Sequence, residues 1–295
     1  MEKIKILLDT DIGNDIDDAV CLAYLLTEPR CDLLGITTVS GEADRRAMMA
    51  DAMCRQAGRE IPIHVGLDEP LAVPNIQPIA KQAVKLECWP HATSFQRDAI
   101  AFMADTIQKH PGEITLLGIG PMTNLATLFT EYPEVGPMLR GLVLMLGAFF
   151  EGGKTLRPQG EWNSRCDPKA AEIVLQAANI PVLRAVGLDV TRQVVYNRAQ
   201  MYAAFTAPIF RMATDFAEVW FAKQEISCMH DPLTAMGIFH EGLMTYKRGR
   251  VTVDASMPES CVLNFEENAE GSLEAAYEVR VDRFKELLLE RAGQA

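Results

Sequence analysis

The sequence predicts an α/β fold: an open, mostly parallel sheet flanked by helices, with a helical insertion near the C-terminal half. Three observations carry this. Short, nearly unbroken apolar runs recur at strand length, as at 4–8 and 142–146. Between them lie helical patterns joined mostly by short connections rich in Gly, Pro and Asp. Strand–helix–strand alternation of this kind implies parallel neighbours. Residues 187–247 instead read as mainly helical. No internal repeat, low-complexity tract or linker interrupts the chain, so one domain over 1–295 is the simplest account.

Taken in order, the strand at 4–8 runs through an acidic turn into the apolar helical pattern Val20-Cys21-Leu22-Ala23-Tyr24-Leu25-Leu26. Residues 32–39 read as a buried strand ending at Ser40-Gly41-Glu42. A helix follows over 43–57, closed by Gly58. A third strand covers 61–65. Residues 66–94 break the rhythm with Pro70, Pro74, Pro78 and Pro90, and so long a loop within a compact domain is often functional. Its Trp89 and His91 read equally as a surface excursion with a buried Trp and as a lid that meets a ligand. The alternation resumes with a helix over 99–110, a strand over 113–119, the turn Gly120-Pro121-Met122-Thr123-Asn124, a helix over 125–131 and a strand over 142–146. Residues 147–165 are expected as a loop, and 180–186 as a strand. Asp167-Pro168 and Asp231-Pro232 each read as a helix cap and first position. Strand-like segments at 251–253 and 277–279 precede a last helix over 282–291.

Composition excludes several functions. A net charge of −12 is a poor basis for non-specific nucleic-acid binding, which depends on phosphate neutralisation. Arg45-Arg46 is too short to be an exception and reads as an exposed helix face. The seven cysteines form no Cys-x-x-Cys pair, which argues for reduced thiols in a cytoplasmic protein. No apolar run reaches membrane-spanning length and none reads as a signal peptide.

The chemistry concentrates at the first turn, where Asp9, Asp11, Asp15, Asp17 and Asp18 fall within ten residues. Helix capping accounts for one or two of them. It does not account for Asp9 and Asp11, where strand gives way to loop. That much charge repels itself unless a cation sits among it, and hard divalent cations take carboxylate oxygens. An EF-hand loop counted from Asp9 fails, with Asn14 at the sixth position and Val20 at the twelfth. An aspartyl-phosphate phosphatase with Asp9 as nucleophile is disfavoured by Gly13. Because every singled-out polar segment follows a strand or opens a helix, a parallel sheet could bring them to one edge.

Asp9-Thr10-Asp11-Ile12-Gly13 followed by Asp17-Asp18-Ala19 resembles the N-terminal signature of the inosine–uridine-preferring nucleoside hydrolases. Further segments are similar to that family's motifs, in its order: Ile36-Thr37-Thr38-Val39-Ser40-Gly41, Gly120-Pro121-Met122-Thr123-Asn124, Leu144-Met145, Glu161-Trp162-Asn163 and His230-Asp231-Pro232. The resemblance implies the nucleoside hydrolase fold, Rossmann-like, and a Ca2+-dependent N-ribosyl hydrolase of purine or pyrimidine salvage, built as a homodimer or homotetramer. It implies Ca2+ ligands at Asp11, Asp18, Asp231 and the Ile119 carbonyl, with Asp9 orienting them. Asp11 would accept a proton from a calcium-bound water. Asp17, Glu161 and Asn163 would hold ribose hydroxyls, Met145 would pack under the sugar, and His230 would protonate the leaving base. Such residues suit an oxocarbenium-like transition state.

Three departures stand out. Two extra residues separate Gly13 from Asp17-Asp18, leaving Asp15 without a role. Glu42 stands where the family places a ribose-contacting Asn. The 66–94 loop lacks the family's His-Gly segment. The aglycone is therefore open. A ribose- or ribonucleoside-binding protein that keeps the metal site without turnover is the alternative.

Overall fold

The computed structural model describes residues 3–177, 179–257 and 260–293. Its strands are β1 (Ile4–Thr10), β2 (Cys31–Thr38), β3 (Ile63–Val65), β4 (Ile114–Gly118), β5 (Gly141–Met145), β6 (Leu183–Val186), β7 (Val195–Asn197), β8 (Ile226–Cys228), β9 (Met244–Asp254), β10 (Val262–Glu267) and β11 (Leu273–Val279). Nine of them form one sheet in the order β10-β9-β11-β6-β5-β4-β1-β2-β3. All pairs from β3 to β11 along this order are parallel, and β9 pairs antiparallel with both β11 and β10. The open, mostly parallel sheet expected from the sequence is present.

The near-continuous apolar strands follow from helices covering both faces. Alternation then divides each strand between two cores: Ile6, Leu8, Leu117 and Val143 face one, and Leu7, Leu116, Leu142 and Leu144 the other. Each fully buried side chain of this kind contributes roughly 1.5–3 kcal/mol.

The order β3-β2-β1-β4-β5-β6 reverses direction between β1 and β4. At such a switch point the loops leaving adjacent strands diverge and open a crevice at their carboxyl ends. Asp9 and Gly118 are register partners there.

Two helices are buried almost all round, Asp17–Thr27 and His230–Phe239, and they pack on each other. Apolar residues on every face are the pattern of an internal helix. The second belongs to the insertion between β6 and β9. That insertion is mainly helical as expected, but it also holds a small antiparallel sheet of β7 and β8.

Several local expectations are corrected. The segment 147–165 is not a plain loop; it contains helices Glu151–Leu156 and Trp162–Cys166. The long loop contains a 3-10 helix, Lys81–Cys88. Asp167 does cap its helix, accepting from the Ala170 N–H at 3.1 Å. Asp231 does not: its helix starts two residues earlier than expected, at His230 with Met229 at the cap, and its carboxylate serves the acid cluster described below.

Arg46 is not on an exposed face. It lies on the same stripe of helix Ala43–Gln56 as Ala43, Ala47, Ala50 and Met53, and it is 0% exposed. Its guanidinium donates to the backbone carbonyls of Gly41, Asp11 and Ile12, tying β2's turn to β1's. Its Nη2 has no hydrogen-bond partner among the described residues. Arg46→Met is expected to cost about 2–3 kcal/mol, because it strands buried acceptors bonded by a charged donor. A fall in the urea unfolding midpoint at unchanged slope would register it.

Candidate active site

The site is built at the carboxyl ends of β1 and β4 and at the first turns of the two buried helices. Asp9, inside β1, is 1% exposed. Its Oδ1 accepts from Thr37 Oγ1 at 2.5 Å and from Asn124 Nδ2 at 2.7 Å, while the buried Oδ2 has no partner among the described residues. Burial pushes its pKa up to about 7, against the pull of those two donors. A nucleophilic Asp9 is thereby set aside, since it is sealed beneath the site and does not line the cavity.

Asp11 follows, just past the strand. Gly120 lets the β4 turn come down on it: a Cβ there would lie 2.9 Å from the Asp11 backbone nitrogen and from its Oδ1. Asp11 Oδ2 accepts from Gln77 Nε2. Gln77 is carried by the long loop, which rests directly on Gly41; a Cβ at Gly41 would meet the Pro78 backbone at 2.4 Å. Gln77 Oε1 in turn accepts from Trp162 Nε1 at 2.6 Å. One carboxamide thus joins Asp11 to the opposite wall.

Asp17 and Asp18 open helix Asp17–Thr27, and Asp231 lies in the first turn of His230–Phe239. Converging helix N-termini favour negative charge. Oxygens of Asp17, Asp18 and Asp231 all lie within 4.8 Å of one another. Asp18 Oδ1 accepts from Thr10 Oγ1 at 2.5 Å, and Asp17 Oδ2 from the Asp231 N–H at 3.2 Å. The sequence expectation placed Asp11 in the ligand set and Asp17 on ribose; the geometry gathers Asp17 with Asp18 and Asp231, and directs Asp11 to Gln77.

Electrostatics shows what this set needs. Burial raises the pKa of Asp11, with Arg46 and Gln77 pulling the other way. Asp17, Asp18 and Asp231 are raised well above the ordinary range, first by burial and then by one another and by Asp11 and Asp15. Asp15 reaches about 7, again mainly by burial. The only buried cation acting on Asp11 and Asp18 is Arg46 among the described residues. One guanidinium does not neutralise so many carboxylates, and an all-oxygen donor set with an orphaned buried carboxylate oxygen beneath it fits a hard divalent cation.

Above the acids lies a cavity of about 540 Å3 lined by Asp11, Asp15, Asp17, Asp18, Ile119, Met145, Glu161, Asn163, His230 and Asp231. Asn163 Nδ2 donates to the Ile119 carbonyl at 2.8 Å and the Met145 carbonyl at 3.1 Å, so it locks two strand ends together. Glu161 caps helix Trp162–Cys166, accepting from the N–H groups of Asn163, Ser164 and Gly147. Burial still raises its pKa. His230 Nδ1 lies 2.6 Å from Thr191 Oγ1. Burial, then Arg192 and Arg157, lower its pKa to about 3.

Glu42 does not line this cavity. It occupies left-handed backbone with φ 57°, and its Oε2 accepts from the Ala80 N–H at 2.9 Å while Arg45 lies 3.6 Å away. It anchors the long loop. Trp89 and His91 are also outside: Trp89 Nε1 donates to Asp215 at 2.9 Å, and His91 pairs with the Trp89 carbonyl. The loop reaches the cavity instead through Ile76, Gln77, Pro78, Ile79 and Lys81. Gln77 left no sequence signal, since nothing periodic surrounds it. Arg46 did leave one, its place on an apolar stripe.

A family model described as inosine-uridine preferring nucleoside hydrolase matches residues 6–286. The chain is 30% identical over 273 residues to probable uridine nucleosidase 2 of Oryza sativa subsp. japonica, covering 85% of this chain and 78% of that one. It is 32% identical over 213 residues to pyrimidine-specific ribonucleoside hydrolase RihB of Escherichia coli (strain SE11), covering 66% and 63%. A solved plant nucleoside hydrolase, PpNRh1, shares the fold with TM-score 0.85 at 24% identity over 99% of each chain. A purine-preferring ribonucleoside hydrolase from Gardnerella vaginalis shares it with TM-score 0.81 at 23% identity over 98% of each.

Proposed function

We propose, from the premise that this chain belongs to the inosine–uridine preferring nucleoside hydrolase family of N-ribosyl hydrolases, that it uses Ca2+ to hydrolyse the N-glycosidic bond of a ribonucleoside or related N-riboside. The products are ribose and free base. The observation that carries this is the convergence of two buried helices, which sets Asp17, Asp18 and Asp231 oxygens within 4.8 Å of one another on the floor of the cavity.

Asp17, Asp18 and Asp231 would hold Ca2+, with Asp11 and the Ile119 carbonyl beside them. When bound, the cation acidifies water and grips a vicinal diol. The remaining work falls to the chain. Asp11 accepts a proton from the attacking water, and burial strengthens it as a base. Gln77 and the Arg46-bound carbonyl fix its direction. Glu161 and Asn163 present carbonyl, carboxylate and amide groups to ribose hydroxyls. Met145, whose Sδ lies 3.6 Å from Asn163 Nδ2, packs beneath the ring where positive charge develops. Asp9 holds the ends of β1, β2 and the β4 turn in register through Thr37 and Asn124.

His230 lines the cavity next to Asp231 as a neutral imidazole, because it gains its second proton only near pH 3. It can hydrogen-bond a leaving base but holds no spare proton at neutral pH. The pH–kcat profile from 5 to 8 is therefore expected to be the same in wild type and His230→Gln. A limb lost in the variant would contradict that assignment.

Incubation with purified ribonucleosides tests the reaction itself: free base and reducing sugar should appear in equal amounts. The alternative is a ribonucleoside-binding protein. Gln77 occupying Asp11, with three N–H groups already on Glu161, is the observation in its favour. Tight binding with no base released would favour it.

A further inference from the structure

Four cations line the same cavity: Lys81, Arg157, Arg192 and Lys223. They share it with six carboxylates, Asp11, Asp15, Asp17, Asp18, Glu161 and Asp231. Several basic side chains elsewhere are paired, as Arg97 is with Asp44 and Asp68, Lys85 with Asp215 and Glu218, and Arg184 with Glu274. None of the four makes an ion pair or side-chain hydrogen bond with a described residue. Arg157 follows helix Glu151–Leu156, and Arg192 follows helix Leu188–Thr191. They come from separate segments, yet both act electrostatically on His230 and on Cys228 two residues before it. Both therefore lie near His230 in the cavity that all three line. Trp162 and Trp220 border the same space and offer apolar faces to a planar heterocycle.

We infer that Arg157 and Arg192 form an anion subsite near His230, and that the leaving base of the physiological substrate carries a carboxylate. This rests on the N-riboside reading above and names its substrate class. A guanidinium matches a planar carboxylate with two parallel N–H donors, and two in one cavity can grip it together. A neutral base offers them only uncharged acceptors, which a guanidinium binds more weakly than a carboxylate.

Matched pairs differing at one group decide it. kcat/KM is measured with Ca2+ present for orotidine against uridine, for nicotinic acid riboside against nicotinamide riboside, and for UMP. In at least one pair the acid is expected to exceed its neutral partner by roughly ten- to hundredfold, the discrimination a charge-assisted hydrogen bond supplies. The double variant R157Q/R192Q is expected to bring that ratio close to one. Neutral members turned over as well as the acids in both pairs would overturn the inference while leaving the reaction class intact. So would an acid preference that survives in the double variant, because the arginines would then not be its source. A preference for UMP alone would overturn the assignment of the anion to the base. Turnover of none of the five would remove the reaction class, and the inference with it.

Discussion

Asp11→Ala protein is expected to release ribose at less than about a thousandth of the wild-type rate, the middle of the range for loss of a positioned general base. The cavity, the two buried helices and the Asp17–Asp18–Asp231 group survive the change, because none is held by the Asp11 carboxylate. The Arg46 bond to residue 11 also survives, since it goes to the backbone carbonyl. What disappears is the carboxylate that accepts from Gln77. Calcium retention should weaken as well, because Asp11 contributes to the field felt by Asp17, Asp18 and Asp231. Initial rates and ion content after dialysis, measured on the same preparation, check both parts. A fully active Asp11→Ala protein would remove Asp11 from the reaction.

The second large effect is on stability. Unfolded carboxyls titrate near 4. In the fold Asp9 and Asp15 are raised to about 7, and Asp17, Asp18 and Asp231 are also raised well above the ordinary range, in every case chiefly by burial. Without metal the native state therefore binds more protons than the unfolded state from about pH 4 to about pH 7, and stability falls as pH rises through that window. Chelated protein should melt at a lower temperature at pH 8 than at pH 5. A bound divalent cation reverses the trend by replacing those protons. At a free concentration about 1,000 times Kd it adds about 4 kcal/mol, or roughly 8 °C at about 2 °C per kcal/mol for a chain of this size. Calcium added at pH 5 should do less, since protons compete. Melting curves in EGTA that are flat with pH and indifferent to Ca2+ would contradict a cation site at this cluster.

The sequence made much of this site legible because its chemistry is local. Asp9 to Asp18 lie on one strand–turn–helix, and so dense a carboxylate run where a strand ends points to a cation more than to helix capping. The parallel sheet was legible from apolar runs at strand length followed by helical periods. The order of the strands was not, because pairing is decided by packing between segments far apart. The same limit hid the residues that connect distant segments. Gln77 meets Asp11 only because the long loop settles on Gly41. Glu42 looked like a ribose contact by position, but its left-handed backbone and the Ala80 N–H turn it toward the loop. Trp89 turned away from the cavity because Asp215, 126 residues later, supplies its hydrogen bond. Arg157 and Arg192 sit on separate connections and come to one cavity only in the fold. Arg46 was readable from its stripe, yet its charge argued for the surface; three backbone carbonyls make its burial tolerable.

If the aspartate cluster works through a bound divalent cation to break an N-ribosyl bond, turnover must depend on that cation. The most direct measurement is the initial rate of reducing-sugar release from a panel of ribonucleosides, before chelation, after EGTA, and after Ca2+ is restored. Release that EGTA abolishes and Ca2+ restores is the predicted result. Undiminished release in EGTA from protein shown to be free of metal would contradict it.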